Sequence, residues 1–440
     1  MKHVNAVMQR DKQVITAVVR RFGPLSRARI HDLTHIRQST TSKLVRELLE
    51  ENVLREGGRL NVPLGRKQSL LHLNETHRLV AAIEFDDERV TAAILDLRPR
   101  VLQAVTQPTA LDGGAAGLIR QLQGCLRAAM QAAQVTPPQL IGIGIADPGL
   151  VATNQGVTLA SSTIDFWRDI PLRKIFEDEF DIPTFPESKT RAKAIAEQLL
   201  GGGERVADLI YLDYGAGIGA GVITGGKLLT GVNGGAGEVG HTHLLENGPV
   251  CKCGSYGCLE AMAGLRALET RVRKAWAELD GLRAGVRPSV MEHDARDMNG
   301  WDMLRAAAAG DKICGHAARE VAEYLGVGLA NLINLFNPSV VVLDGRLKLA
   351  GAQMLEQIVR SAKGKALTFS VRELVFRYSE LGDLAGVLGS ALICLEKYFE
   401  IPALKPPRFL FDADCQVAQP LEIIPERAAA EQVFSAGRVL

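Results

Sequence analysis

A histidine and three cysteines lie close enough along this chain to hold one metal ion. Gly237-Glu238-Val239-Gly240-His241 is followed by Cys251-Lys252-Cys253-Gly254-Ser255-Tyr256-Gly257-Cys258-Leu259-Glu260, a spacing of His-x9-Cys-x-Cys-x4-Cys. One imidazole and three thiolates make a closed tetrahedral set, the usual composition of a structural zinc site. Gly254 and Gly257 allow the chain to fold tightly round an ion. The alternative is three buried free cysteines beside a surface histidine, which such crowding argues against. Seven cysteines in 440 residues do not build a disulfide scaffold, so a reducing cytoplasm is expected.

Those residues must be held by a fold, and the pattern from 78 to about 405 is α/β. Leu79–Phe85 and Val90–Asp96 read as a hairpin, and Leu140–Ile145 as a buried strand entering the turn Asp147-Pro148-Gly149. Leu209–Tyr214 and Gly219–Thr224 read as a second hairpin around a glycine-rich loop. Val340–Leu343 runs into Asp344-Gly345. Helices are expected at 187–200, 259–276, 315–336 and about 384–399, with another strand at Val371–Phe376.

The first 75 residues differ in composition. They carry 14 Lys/Arg against 7 Asp/Glu, whereas the remainder carries 37 against 43. A basic end on a mildly acidic body suits contact with a polyanion, although a solvated basic face would look similar. Val14, Val18 and Phe22 place a helix over roughly 10–22, ended by Gly23-Pro24. Ser26 is a candidate N-cap for a short second helix. A third begins at Gln38-Ser39-Thr40-Thr41-Ser42-Lys43. Residues 52–60 alternate and are expected to turn at Gly57-Gly58, with Leu70–Leu73 as partner strand. Helix, helix, helix, hairpin is the order of a winged helix-turn-helix. Gln38, Ser39, Thr40 and Lys43 would then meet base edges, and Arg66 and Lys67 phosphates beside the wing. Three packing helices with hydroxyl N-caps remain the alternative.

Gly-Glu-x-Gly-His followed by Cys-x-Cys-Gly-x-x-Gly-Cys-Leu-Glu resembles the signature of the ROK family of repressors and sugar kinases, and the first 75 residues resemble the winged-helix module of MarR- and ROK-type regulators. The resemblance extends to about residue 400. It implies an actin-like, ribonuclease-H-like fold of two lobes with a cleft between them. It also implies zinc on His241, Cys251, Cys253 and Cys258, and a sugar held by Glu238, His241 and Glu260. Carboxylates and a metal-oriented imidazole are suitable partners for ring hydroxyls in any case.

The departures from the kinases in that family decide the expected function. Their Asp-x-Gly-Gly-Thr phosphate loop is replaced by Glu84-Phe85-Asp86-Asp87-Glu88, whose acids would repel a triphosphate. Their Glu-Asn-Asp-Ala-Asn becomes Glu187-Ser188-Lys189-Thr190-Arg191, putting Lys189 where the general base should be; a protonated lysine cannot accept that proton. No catalytic residue is therefore assigned. Lys189 is expected to face the cleft, either paired with Glu187 or the 86–88 loop, or free to hold an anionic sugar, with Arg191 as a candidate second cation.

The sequence thus predicts a cytoplasmic, kinase-inactive, sugar-responsive transcriptional regulator, with an ATP-dependent sugar kinase as the alternative. Residues 1–75 form the DNA-binding domain, 78–405 the two-lobed sugar domain with its zinc loop at 241–258, and 406–440 an extension of unknown role. Operator DNA and a sugar or sugar derivative are the expected partners. No membrane is involved, and a homodimer or homotetramer is expected because one winged helix reads only a short site.

Overall fold

The computed structural model describes residues 2–60, 68–202, 206–282 and 297–400. Arg66, Lys67 and the 406–440 extension lie outside the described residues. The chain divides into two compact units, one built on Met1–His77 and the other on Arg78–Tyr398. Among the described residues no helix is long and apolar enough to cross a membrane.

The first unit contains α1 (Lys2–Phe22), α2 (Arg27–Thr34), α3 (Gln38–Glu50), β1 (Leu54–Leu60) and β2 (Gln68–Leu73). Ile15, Val18, Val19, Ile30, Leu44, Val45, Leu48 and Leu71 form its core. The first helix reaches back to Lys2 rather than starting near residue 10, and its polar Lys12 is stabilised by Glu47 of α3 and by Glu51 just beyond it, at 2.9 and 2.6 Å. Ser26 caps α2, its hydroxyl accepting the Arg29 backbone N–H at 3.2 Å. Strand β1 does not turn at Gly57-Gly58. It runs through them with a bulge between Glu56 and Arg59 and pairs antiparallel with β2. Leu25 adds a bridge to Leu71, completing the base of a wing.

The second unit holds two sheets. The first comprises β3 (Leu79–Phe85), β4 (Arg89–Leu95) and β5 (Val101–Pro108), followed by α4 (Gly114–Ala132) and β6 (Leu140–Asp147). A small three-stranded sheet follows, of β7 (Leu150–Ala152), β8 (Val157–Ala160) and β9 (Arg168–Ile170). Then come α5 (Leu172–Phe180), β10 (Thr184–Ser188) and α6 (Lys189–Leu200). The second large sheet begins with β11 (Leu209–Tyr214), β12 (Ile218–Thr224) and β13 (Lys227–Leu228). After α7 (Leu259–Ala263), α8 (Leu265–Leu282), α9 (Gly300–Ala308) and α10 (Lys312–Phe336) it continues with β14 (Val340–Leu343). The chain then runs through α11 (Ala352–Lys365), α12 (Thr368–Val371), β15 (Val375–Tyr378) and α13 (Ala385–Tyr398).

Both large sheets have the same plan: a three-stranded antiparallel meander, then a fourth strand parallel to the first and a fifth parallel to the fourth. That is the duplicated ribonuclease-H arrangement. Its central strands read as continuous apolar runs because both faces are covered. The helix expected over 259–276 is broken at Gly264 into α7 and α8, which sets Glu260 on a short helix of its own.

Replacing Ser26 with Ala removes the cap of α2. A loss of about 1 kcal/mol in chemical denaturation of the first unit is expected, with Ser26→Thr close to unaltered protein.

Candidate functional site

The His241 and cysteine side chains converge. His241 closes a short 3-10 turn at Val239–His241, and Cys258 is the residue that precedes α7. Between them the chain doubles back: Cys251 N–H donates to the Ser255 carbonyl at 2.7 Å and Gly254 N–H to the Cys251 carbonyl at 3.0 Å. Gly257 has φ +64°, and a Cβ there would fall 1.8 Å from the Leu245 carbonyl oxygen, so only glycine fits. The four ligand atoms all lie within 4.8 Å of one another. Cys253 Sγ is 3.8 Å from Cys258 Sγ, and Cys251 Sγ is 3.6 Å from His241 Nδ1. A tetrahedral ion bound at about 2.3 Å to sulfur and about 2.05 Å to nitrogen requires edges of about 3.8 and 3.6 Å. The donors fit a metal ion, with His241 ligating through Nδ1.

His241 also borders a cavity of 420 Å³ between the two large sheets, a size that suits a small ligand. Glu238 and Glu260 border the same end, as do Ser162 and Thr163. Gly237 has φ +91°, and a Cβ on it would lie 1.9 Å from the Ala220 carbonyl oxygen; this close pass along β12 is what delivers Glu238 to the cleft. Glu260 is 9% exposed, and its Oε2 accepts the Ile218 backbone N–H at 3.1 Å. Sequence reasoning missed Ser162 and Thr163, which sit in a loop between β8 and β9 with no motif around them.

The 84–88 run is not a row of free acids. Asp86 Oδ1 accepts the backbone N–H groups of Glu88 and Arg89, each at 2.9 Å, and its Oδ2 faces Lys189 Nζ at 3.3 Å. Burial would raise the Asp86 carboxyl, but Lys189 and the two N–H groups hold it down at about 2. Asp87 lies 3.7 Å from Arg266 of α8. Glu88 accepts from Trp301 Nε1 at 2.9 Å and from Arg346 at 2.8 Å, while the Arg346 guanidinium lies 4.0 Å over the Trp301 ring. The turn between β3 and β4 is therefore held on three successive residues, Asp86 by α6 and Asp87 and Glu88 by elements that follow β11.

Lys189 lines the cavity and pairs with Asp86, one of the two arrangements anticipated for it. Arg191 does not join it. The guanidinium is 1% exposed, pairs with Glu187 at 2.5 Å and donates to the carbonyls of Gly234 and Val151. These partners fully commit it to bracing the loop that leads to Glu238, because a buried guanidinium must satisfy its donors locally.

In the first unit, Gln38, Ser39 and Lys43 are exposed at the start of α3 and Thr40 is half-buried. Thr41 points inward and donates to the Ile36 carbonyl at 3.2 Å. Arg46, exposed one turn beyond Lys43, extends this polar face and was not singled out by the sequence reading.

The profile of the ROK family matches residues 80–397. Over 397 residues the chain is 29% identical to the putative xylose repressor of Caldicellulosiruptor sp. (strain Rt8B.4), which spans 90% of this chain and 98% of that protein. The crystal structure of a ROK family transcriptional regulator, a homolog of the E. coli MLC protein, matches with a TM-score of 0.74 and 26% identity, over 89% of this chain and 97% of that one. A ROK family glucokinase from Streptomyces griseus, solved with glucose and AMPPNP, matches with a TM-score of 0.63 and 28% identity, over 72% of this chain and 98% of the kinase.

Metal analysis of the purified protein should return about one ion per chain. The Cys251→Ser, Cys253→Ser double variant should retain almost none, since two of four ligands are gone. Stoichiometric metal in that variant would reject the assignment.

Proposed function

The chain belongs to the ROK family, and from that premise we propose that it is a sugar-responsive DNA-binding repressor of carbohydrate genes that has no kinase activity. The observation that carries this reading is the winged-helix unit with Gln38, Ser39, Lys43 and Arg46 exposed on one helix face, joined to a sugar-sized cleft. A repressor relative that aligns over nearly its whole length supports it.

In this reading residues 1–75 bind operator DNA, Gln38 and Thr40 read bases, and Lys43, Arg46, Arg66 and Lys67 approach phosphates. Residues 78–405 receive the sugar. Glu238, Glu260 and the Nε2 side of His241 hold its hydroxyls, and Lys189 with Asp86 closes the wall beside them. Zinc on His241, Cys251, Cys253 and Cys258 supplies no chemistry beyond fixing the loop and the imidazole. The sugar acts by favouring one of two arrangements of the DNA-binding units in a homodimer or homotetramer in the cytoplasm. Lys189 at the position of the base and paired with Asp86, and Asp87 and Glu88 already held by Arg266, Trp301 and Arg346, support the absence of phosphoryl transfer. Because Asp86 satisfies Lys189, a neutral sugar is the better fit than an anionic one.

Two measurements test this. Sugars should be screened for thermal stabilisation, and the one that stabilises should shift operator affinity in a mobility assay. Glu238→Gln and Glu260→Gln should each weaken that sugar about tenfold or more, as loss of a charged hydrogen bond does. Removing Arg66 and Lys67 should weaken every duplex alike and lower the salt slope by about 2, whereas Gln38→Ala should change sequence preference. Turnover of any hexose with ATP, or a sugar that leaves operator affinity unchanged, would overturn the proposal.

A further inference from the structure

Lys193, Asp213 and Asp344 also line the cavity, and with Glu84 they make a charge cluster that the reading above does not use. Lys193 extends from α6 and is 9% exposed. Its Nζ lies 2.8 Å from Asp213 Oδ1 on β11, 3.0 Å from Asp344 Oδ2 just beyond β14, and 4.0 Å from Glu84 Oε1 on β3. Three carboxylates from two different sheets thus face one ammonium. Protein donors take other lone pairs of the cluster: Thr190 Oγ1 donates to Asp213 Oδ2 at 3.0 Å and Tyr211 Oη to Asp344 Oδ2 at 3.1 Å.

Glu84 is left short. It is 4% exposed, and its Oε2 has no hydrogen-bond partner. The other nearby cations are engaged elsewhere, Lys189 by Asp86 and Arg89 by Asp383 at 3.0 Å. Burial opposes charge on Lys193, yet Asp213 and Asp344 outweigh it and hold the ammonium well above its ordinary range. Burial raises the Glu84 carboxyl, with Lys193 opposing. A cluster of this composition, all oxygen ligands with a surplus of negative charge, is what a hard cation requires. Here the cation is attached to the chain.

We infer that Asp213, Asp344 and Glu84 form a cation cage filled by the tethered ammonium of Lys193, so that shortening this side chain opens a divalent-cation site that the unaltered protein lacks. With the ammonium gone, an ion at about 2.1–2.2 Å from the Asp213 and Asp344 oxygens would replace contacts now made at 2.8 and 3.0 Å, with waters completing its shell. The unaltered protein then keeps this end of the cleft closed to free metal, whatever occupies the other end.

Mn2+ is the probe, applied to full-length protein whose cysteine site is already loaded with zinc. Lys193→Ala should melt below the unaltered protein without added ion. At about ten times its Kd, Mn2+ should raise the melting temperature of the variant by about 3 °C. Electron paramagnetic resonance should count about one bound Mn2+ per chain. Unaltered protein and Lys193→Ala/Asp213→Asn should show neither effect. A folded Lys193→Ala protein indifferent to Mn2+, or an equal response from the unaltered protein, would overturn the inference. If Lys193→Ala does not fold, the Asp213→Asn double variant decides: recovery of folding identifies surplus carboxylate charge as the fault and supports the cage. Continued failure shows that Lys193 acts by packing, and the cage is wrong.

Discussion

One helix that buries charge organises the cleft-bearing unit. Arg191, Lys193 and Glu197 of α6 are 1%, 9% and 0% exposed. Taking an ion out of water costs several kcal/mol unless partners are placed with good geometry. Each of these charges finds its partner on a different element. Arg191 reaches Glu187 and the carbonyls of Val151 and Gly234, Lys193 reaches Asp213 and Asp344, and Glu197 pairs with Arg377 at 2.9 Å. The helix is satisfied only when strands from both sheets are in place around it, so their relative position follows from its charges as much as from apolar packing.

That constraint explains how short-range features become a site. The loop carrying Glu238 is held at Gly234 by Arg191, and the cysteine-bearing turn that follows brings three thiols to within 4.8 Å of the His241 ring nitrogen. Glu260 lies in the first turn of the short helix that follows Cys258, and its carboxylate is fixed by the Ile218 N–H. The hydrogen-bonding groups at one end of the cavity are therefore prearranged by backbone contacts and by the cysteine loop, while the other end is filled by ion pairs.

The sequence was legible where chemistry is local. The His-x9-Cys-x-Cys-x4-Cys spacing, the central strands and the cap at Ser26 all depend on residues near one another, and they stand where the pattern places them. What was not legible depends on distant partners. The pairing of Lys189 with the 86–88 run was among the arrangements expected, but the hold of Arg346 on Glu88, 258 positions away, was not. Lys12 interrupts the apolar periodicity of α1, yet the helix continues because Glu47 and Glu51 receive it. Likewise β15 starts at Val375 rather than Val371, since Thr368–Val371 is taken into a helical turn.

The interlocked charges on α6 also limit how such a protein can evolve. A change at Lys193 alone leaves carboxylates without a counter-charge, and a change at Asp213 or Asp344 alone weakens the hold on a buried ammonium. Either single step is far more destabilising than a substitution on the surface. Lineages that drift at these positions should therefore have exchanged them in concert, passing through partners that neutralise one another, while exposed residues outside the cluster remained free to change one at a time.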